Sequence, residues 1–540
     1  MGERHTGPAA DLLVRRLCDY GVRQVFGYPG GQLTPVYDAL YRTPEVRHYL
    51  ARDEQAAAFM ADGFARATGR PGVCLAVCGP GVFNALTPLA TAFTDSVPVL
   101  LVSGQVPRAG RGPRSGYYHE NDQLAVCAGV TKWRARVEEP EQLVPLLDRA
   151  WVALNTGRPG PVLVEVPLDV LRAEAPAAPW PAPPLIPNTP APSPADVDAL
   201  ARLVTGWQRP LLLAGGGVVS AGAEALFVQL AERLGAPMIH TAMGKCGFPA
   251  SHPLAAGMPW NRATSDVSNM GSFFAPLFAE ADGLLAVGCR FTQLATGSWS
   301  LKLPPSVAQV DIDPEELGRH YPVRLGVAAD ARETLRSLLA ALPGGRDARP
   351  PWAARPPRGE PWRLPGPDLV GPLRRVLPRD GIVAADVTRL AYVLMAEFPL
   401  DCPRTFLHPA GSVAMGYGIP AALGAKAAWP ERAVVAVAGD GCFLMSGMEL
   451  ATAVQEGLPV VVVLVNDNTL TLIKATQQRK FGERYIAVDL RNPDFGMFAR
   501  AFGVRYWRAD TDADFEAALR AALAADGPAL VEVRPGDARQ

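Results

Sequence analysis

A chain of 540 residues that is 49% hydrophobic and 19% charged can bury several cores, and its length predicts two to three domains. Its 52 lysines and arginines against 53 aspartates and glutamates leave a net charge of −1, which argues against nucleic acid or an anionic membrane as partner. No apolar run approaches the roughly 18 residues that a membrane span needs, and no charged then apolar leader opens the chain, so a cytoplasmic protein without a membrane segment is expected.

Taken in order, Gly72–Val77 reads as an apolar strand, a helix follows Asn84, and Val97–Ser103 reads as the next strand. A proline-rich stretch from Ala175 to Pro194 cannot be helix or central strand and reads as an extended linker. The central block opens on the glycine run of AGGGVVSAGAEAL. No acidic residue ends the next strand, where His240 follows Pro237-Met238-Ile239, so the run reads as structural rather than as a dinucleotide fingerprint. A second proline-rich stretch, Pro343 to Pro367, sets off the last block. There Ala433–Ala438 reads as a buried strand, Met448–Glu456 as a helix, and Pro459–Val465 as a second all-apolar strand. Short apolar strands alternating with amphipathic helices in all three blocks predict α/β domains with doubly wound parallel sheets, at 1–174, 195–342 and 367–540. Eight scattered cysteines without zinc spacing read as reduced core residues.

The last block carries the chemistry. Gly439-Asp440-Gly441 ends one apolar strand and Asn466-Asp467-Asn468 ends the next, with 467 − 440 = 27 residues between the two aspartates. Strand ends of an α/β sheet are where ligands bind. Asp440 and Asp467 supply the oxygens that Mg²⁺ shares with phosphates, while Gly439 and Gly441 let the backbone approach a diphosphate. Cys442 fits better as a backbone N–H facing phosphate than as a nucleophile.

GDGCFLMSGMELATAVQEGLPVVVVLVNDN resembles the thiamine diphosphate signature, GDG followed by about two dozen residues and NN. VFGYPGGQLTPVYDAL, RDEQAAAFMADGFARATGRPGVCLAVCGPG, FTDSVPVLLVSGQVP and GRPGPVLVEVPLDV are similar to the N-terminal domain of acetohydroxyacid (acetolactate) synthases. With GSVAMGYGIPAALGA and the VDIDP segment, the likeness runs over most of the chain. It implies that the outer domains bind the aminopyrimidine and diphosphate ends of the coenzyme and that the central one is a spacer. Glu54 falls at the position of the carboxylate that hydrogen-bonds the pyrimidine N1′ and favours the imino tautomer, an acid–base effect worth ~10²–10⁴-fold. Met415 would wedge the two rings into a bent conformer, and the Val413 carbonyl would accept from the 4′ nitrogen. The same resemblance implies cofactor contacts at Gly30, Gly31 and Leu470, and metal ligation by Asp440, Asp467 and Thr469. Each coenzyme would lie between the first domain of one subunit and the third of another, so a homodimer or homotetramer is expected.

Four departures from acetohydroxyacid synthases bear on the substrate. His119, in Tyr118-His119-Glu120, replaces a glutamine and could shuttle protons or bind an acceptor's carboxylate. Thr476, in LIKATQQRKF, replaces a tryptophan, with Lys474, Arg479 and Lys480 either near the pocket or exposed on a mobile loop. GMPWNRATSDVSNMG replaces the flavin-contacting stretch, which leaves flavin adenine dinucleotide (FAD) a doubtful cofactor. Asp467 stands for an asparagine, and Thr388-Arg389-Leu390 replaces the usual polar diphosphate contacts. The expected reaction is decarboxylation of a 2-oxo acid, pyruvate or a relative, with transfer of the resulting acyl carbanion to a second carbonyl. Two alternatives remain: a non-oxidative decarboxylase or specialised carboligase, and a non-catalytic scaffold on the same fold. The sequence does not tell whether a regulatory subunit binds.

Overall fold

The computed structural model describes residues 4–186, 189–258, 275–343, 350–353 and 368–535. Three six-stranded sheets, each wholly parallel, succeed one another along the chain. The first runs Arg47–Leu50, Gln24–Gly27, Gly72–Ala76, Val99–Gln105, Val162–Pro167, Trp133–Arg136 from edge to edge. The third runs Phe406–Leu407, Ile382–Ala385, Val434–Gly439, Val461–Val465, Ala529–Val533, Arg505–Ala509. Numbered by chain order within each domain, both read 2-1-3-4-6-5, so the two outer domains share one topology. The central sheet differs. Its order is Ala255–Gly257, Met238–His240, Pro210–Ala214, Gly283–Val287, Ser306–Asp311, Leu325–Ala328, which puts a topological switch point between Pro210–Ala214 and Gly283–Val287.

Strands such as Val99–Gln105 and Ala529–Val533 are buried along their whole length, because helices cover both faces of the sheet. The outer domains are joined by two helices, Glu54–Thr68 and Gly418–Ala428, that cross at backbone contact. A Cβ built on Gly63 would stand 2.2 Å from the Ala421 carbonyl oxygen, and one on Gly424 would stand 1.9 Å from that of Met60. Only glycine permits this approach. Beneath the crossing, Arg66 binds Asp62 at 2.6 Å and Asp95 at 2.9 Å and donates to the His408 carbonyl, so its buried charge is paired.

The first proline-rich stretch starts as a strand rather than a linker: Glu174–Pro179 pairs antiparallel with Arg4–Pro8. A two-stranded ribbon is all edge, which tolerates prolines that donate no ladder hydrogen bond. Most of 343–367 lies outside the described residues, as does the flavin-facing segment from 259 to 271. The helix expected at Met448–Glu456 opens as a 3₁₀ turn, Gly447–Glu449, before Leu450–Gln455. Among the described residues no helix is long and apolar enough to cross a membrane.

Candidate active site

Two neighbouring strands of the third sheet, Val434–Gly439 and Val461–Val465, end side by side with Gly439 in register with Val465. Asp440 and Asp467 follow them. Burial first, and then the charge of Asp467, push the Asp440 carboxyl above its ordinary range, so the two acids face one spot. Asn492 knits the cluster: its amide nitrogen lies 2.7 Å from Asp440 Oδ2, 3.0 Å from Asn466 Oδ1 and 3.1 Å from Asn468 Oδ1. Its own Oδ1 is buried without a hydrogen-bond partner. Asn466 donates to Glu532 at 2.8 Å, and Asp467, the carboxylate of the Asn-Asp-Asn run, accepts from the Thr471 hydroxyl through Oδ2. The Thr469 amide donates to Asp467 Oδ1 at 3.2 Å and its hydroxyl donates to the Val488 carbonyl at 2.8 Å. Thr469 offers a cation its carbonyl oxygen and the lone pairs of its hydroxyl.

The floor of this spot is apolar. A Cβ on Gly441 would meet Leu470 Cδ2 at 2.8 Å and the Met415 methyl at 3.6 Å, so these three residues are neighbours. The Met415 loop hangs on a buried carboxylate, Asp386, which accepts from Gly416 N at 3.1 Å, Gly418 N at 2.8 Å and Val387 N at 2.7 Å. Gly416 takes φ 81°, a left-handed turn suited to glycine. The backbone after Val413-Ala414-Met415 is thereby fixed. Cys442 donates its thiol to the Val387 carbonyl at 3.2 Å, and burial beside Asp386 pushes its pKa far up, so it is no nucleophile at neutral pH.

Glu54 opens the helix Glu54–Thr68, capped by Asp53, which accepts from Ala56 N at 2.7 Å. Its side chain is 7% exposed and accepts from Asn84 Nδ2 at 3.1 Å. A Cβ on Gly81 would stand 2.8 Å from its other oxygen. Gly30 packs on Val77, which a Cβ would strike at 2.4 Å, whereas the same position at Gly31 faces open space. His119 sits nearby at φ 70°, its carbonyl 2.8 Å from where a Gly79 Cβ would be. Its ring stacks on Tyr118 at 3.7 Å between centroids, and its buried Nδ1 has no partner. Gly79–Gly81 thus links Glu54 to His119.

Within one chain the two halves approach but do not merge. Gln55 Nε2 comes within 3.7 Å of a Gly416 Cβ position, yet the Glu54 carboxylate points to Asn84 and Gly81 and the Met415 methyl to Gly441.

Models of three domains match the chain: the thiamine pyrophosphate enzyme N-terminal TPP-binding domain at residues 8–126, the central domain at 197–338, and the C-terminal TPP-binding domain at 386–533. The chain belongs to the thiamine diphosphate enzymes. A "Probable 2-ketoarginine decarboxylase AruI" of Pseudomonas aeruginosa is 38% identical, covering 100% of this chain and 96% of that protein. A "Probable acetolactate synthase large subunit" of Methanocaldococcus jannaschii is 35% identical over 97% of this chain and 91% of that protein. A solved "putative thiamin diphosphate-dependent enzyme" from Mycobacterium smegmatis superposes with a TM-score of 0.82 at 26% identity, covering 98% of this chain and 99% of its own. This thiamine diphosphate enzyme is thus acetolactate synthase-like, of the carboligase and decarboxylase group.

Several residues that shape the site were not legible in the sequence. Asn84, Asp386 and Asn492 carry no motif of their own; each reaches the site from a distant segment. The segment holding Thr476 is a helix, Thr471–Phe481, rather than a mobile loop. In it Lys474 is already paired with Asp489 at 2.6 Å, which weakens the reading of an anion-seeking lysine. Arg389, the first residue of the helix Arg389–Glu397, lies within electrostatic reach of Asp467 and brings positive charge beside the strand-end acids.

A cavity of about 450 Å³ opens where the switch point of the central sheet faces the first domain, lined by Gly216, Gly217, Arg290 and Asp311 of the central domain and by Asp95 and Arg158 of the first, among others. Gly215 and Gly217 are structural as expected: a Cβ on either would meet the Gly288 backbone at 1.9 Å and 2.5 Å. Gly216 and Gly217 also face the cavity. Burial raises the Asp311 carboxyl to about 6.

Proposed function

We propose that the chain decarboxylates a 2-oxo acid, pyruvate or a close relative, and transfers the acyl carbanion so formed to a second carbonyl compound, with thiamine diphosphate and Mg²⁺. The observation that carries this reading is the pair of strand-end carboxylates, Asp440 and Asp467, above the Gly441–Met415–Leu470 floor, with Asn492 bonding Asp440 and the asparagines on either side of Asp467. The thiamine diphosphate supplies the carbon nucleophile that accepts the 2-oxo acid. Asp440, Asp467 and the Thr469 carbonyl would hold the metal, an all-oxygen set that suits Mg²⁺. Gly439, Gly441, the Cys442 amide and Arg389 would face the diphosphate. Met415, Leu470 and the Val413 carbonyl would fix the coenzyme's bend. Glu54, oriented by Asn84, would hold a proton at the pyrimidine, with Gly30 and Gly31 beside it. His119, with one ring nitrogen unpaired, would take or give a proton at the substrate.

The domains divide in this reading at 1–174, 195–342 and 367–540, and two copies pair so that Glu54 of one faces Asp440 of the other. Leu444, Met445, Met448 and Val454 support the pairing, since they leave an exposed apolar face beside the metal end. No proposed step needs a flavin. The purified protein is expected to be colourless, and a flavin absorbance band would restore FAD as a cofactor.

Calorimetry of thiamine diphosphate binding with and without Mg²⁺, followed by CO₂ and product assays with pyruvate, tests the whole. No metal-dependent uptake refutes it. A second reading, release of an aldehyde from a larger 2-oxo acid, is favoured by the short Thr476 side chain, whose hydroxyl folds back on the Leu472 carbonyl at 3.0 Å. CO₂ with aldehyde and without a carboligation product selects it.

A further inference from the structure

Glu449 ends the 3₁₀ turn Gly447–Glu449 of the C-terminal domain, 1% exposed, and reaches across to the N-terminal domain. Its Oε1 accepts from Arg52 N at 2.9 Å, two residues before Glu54. Its Oε2 lies 2.6 Å from Thr452 Oγ1, which itself stands 3.1 Å from the Leu50 carbonyl oxygen. Thr452 has one hydroxyl hydrogen for two acceptors. If it donates to Leu50, the 2.6 Å contact needs a hydrogen from Glu449. Arg52 Nη1 reaches the Leu50 carbonyl only at 3.4 Å, longer than the Thr452 contact, and with Thr452 donating there a neutral acid completes the set: Glu449 donates to Thr452, Thr452 donates to Leu50, and Arg52 N donates to Glu449. Both ends of the chain of bonds then land on Leu50–Arg52, the segment that delivers Asp53, the cap, and Glu54, the first helical residue.

We propose that Glu449 is a positioning residue for Glu54, acting as a protonated acid that pins the Leu50–Asp53 segment to the C-terminal domain. The proposal rests on Glu54 being the carboxylate at the pyrimidine. Burial raises the Glu449 carboxyl to about 7, with the Thr452 hydroxyl and Arg52 opposing the rise and Asp53 adding to it. Other charges on the packed elements are engaged elsewhere: Glu456 pairs with Arg47 at 3.5 Å, Arg52 donates to Gln455 at 2.8 Å, and Lys426 donates to the Arg432 carbonyl at 2.7 Å. A carboxyl raised in the fold contributes stability that is present at low pH and lost as pH climbs through its folded value. The pin therefore loosens on the alkaline side of about 7.

Glutamine mimics the neutral acid, since its amide donates to Thr452 while its carbonyl accepts from Arg52; alanine removes both bonds. With pyruvate, thiamine diphosphate and Mg²⁺ held saturating, Glu449→Ala is expected to lower kcat roughly tenfold to a hundredfold with KM within about twofold, the mark of a misplaced group. Glu449→Gln is expected to rescue kcat and to lack the alkaline limb of the parent's kcat–pH profile, while Glu449→Asp, one methylene short, falls between. Thermal melting of each variant reports folding separately. Superimposable pH profiles for parent and Glu449→Gln, or equal losses in Glu449→Gln and Glu449→Ala, overturn the inference. An active Glu54→Gln would instead sink the reading of Glu54 itself.

Discussion

Gly81→Ala offers a direct probe of the Glu54 carboxylate, because it adds one methyl group and nothing else. Gly81 has no positive φ, so alanine fits its backbone. The new Cβ would stand 2.8 Å from Glu54 Oε1 and 2.7 Å from Val77 Cγ1, where ordinary contact begins near 3.4 Å. Both neighbours are buried and both have to give; the carboxylate, at the end of the longer and more rotatable side chain, moves at the expense of its bond to Asn84. It has to withdraw by roughly 0.6 Å, and since a misplacement of about 1 Å can cost about 10²-fold, a loss of about tenfold in kcat is expected. Overpacking one methyl costs about 1–3 kcal/mol, small enough for the variant to fold. The assay is kcat and KM for pyruvate beside melting of the coenzyme-loaded protein, with Gly129→Ala, where a Cβ meets nothing within 4 Å, as control. A Gly81→Ala enzyme as fast as the parent would refute the placement of Glu54 in the reaction.

Asn492→Ala removes the amide that binds Asp440, Asn466 and Asn468, so the Mg²⁺ requirement for coenzyme binding should rise about 10–100-fold, as read by metal titration. Asp440, raised by burial and by Asp467, makes the pH dependence depend on loading: metal binding needs the ionised pair, so metal-dependent coenzyme uptake weakens as pH falls. Without metal, the same raised carboxyl contributes stability at low pH that is lost as pH rises, so the melting temperatures of loaded and free protein should move in opposite directions between mildly acid and neutral pH. Gly424→Ala sets a Cβ 1.9 Å from the Met60 carbonyl, a backbone atom that cannot step aside, and should lower the melting temperature by several degrees or prevent folding.

How far the sequence could be read depended on the range of the interactions involved. The parallel sheets were legible because strands buried on both faces need unbroken apolar runs, and Val461–Val465 shows one. The strand-end aspartates were legible because each directly succeeds such a run. Glu54 had no local mark, since an acid in a first helical turn is ordinary; only the wider resemblance singled it out. Asn84, Asp386, Asn492 and Glu449 act through partners up to hundreds of residues away, and no spacing encodes that. The helix Thr471–Phe481 could have been foreseen, for leucine, alanine, glutamine, arginine and lysine favour helices. Its charges drew it toward a loop reading instead.

The shared 2-1-3-4-6-5 order of the outer sheets gives a physical reason for the division of labour. Each outer domain offers a crevice at the ends of its strands, and each places a buried or half-buried acid there: Glu54 in one, Asp440 with Asp467 in the other. In the proposed reading a metal-bound diphosphate takes the two neighbouring carboxylates and the pyrimidine takes the single, drier one, so one scaffold would serve both ends of the coenzyme through the residues just beyond its strand ends. The glycine-mediated crossing of Glu54–Thr68 on Gly418–Ala428 then fixes the distance between the two halves at backbone contact, a spacing that side-chain rearrangement cannot alter. Under the proposed pairing of two copies, the two half-sites that this junction ties together serve different coenzymes, so a shift in one subunit's Glu54 helix would be passed to the acid pair that the same subunit lends to the other site.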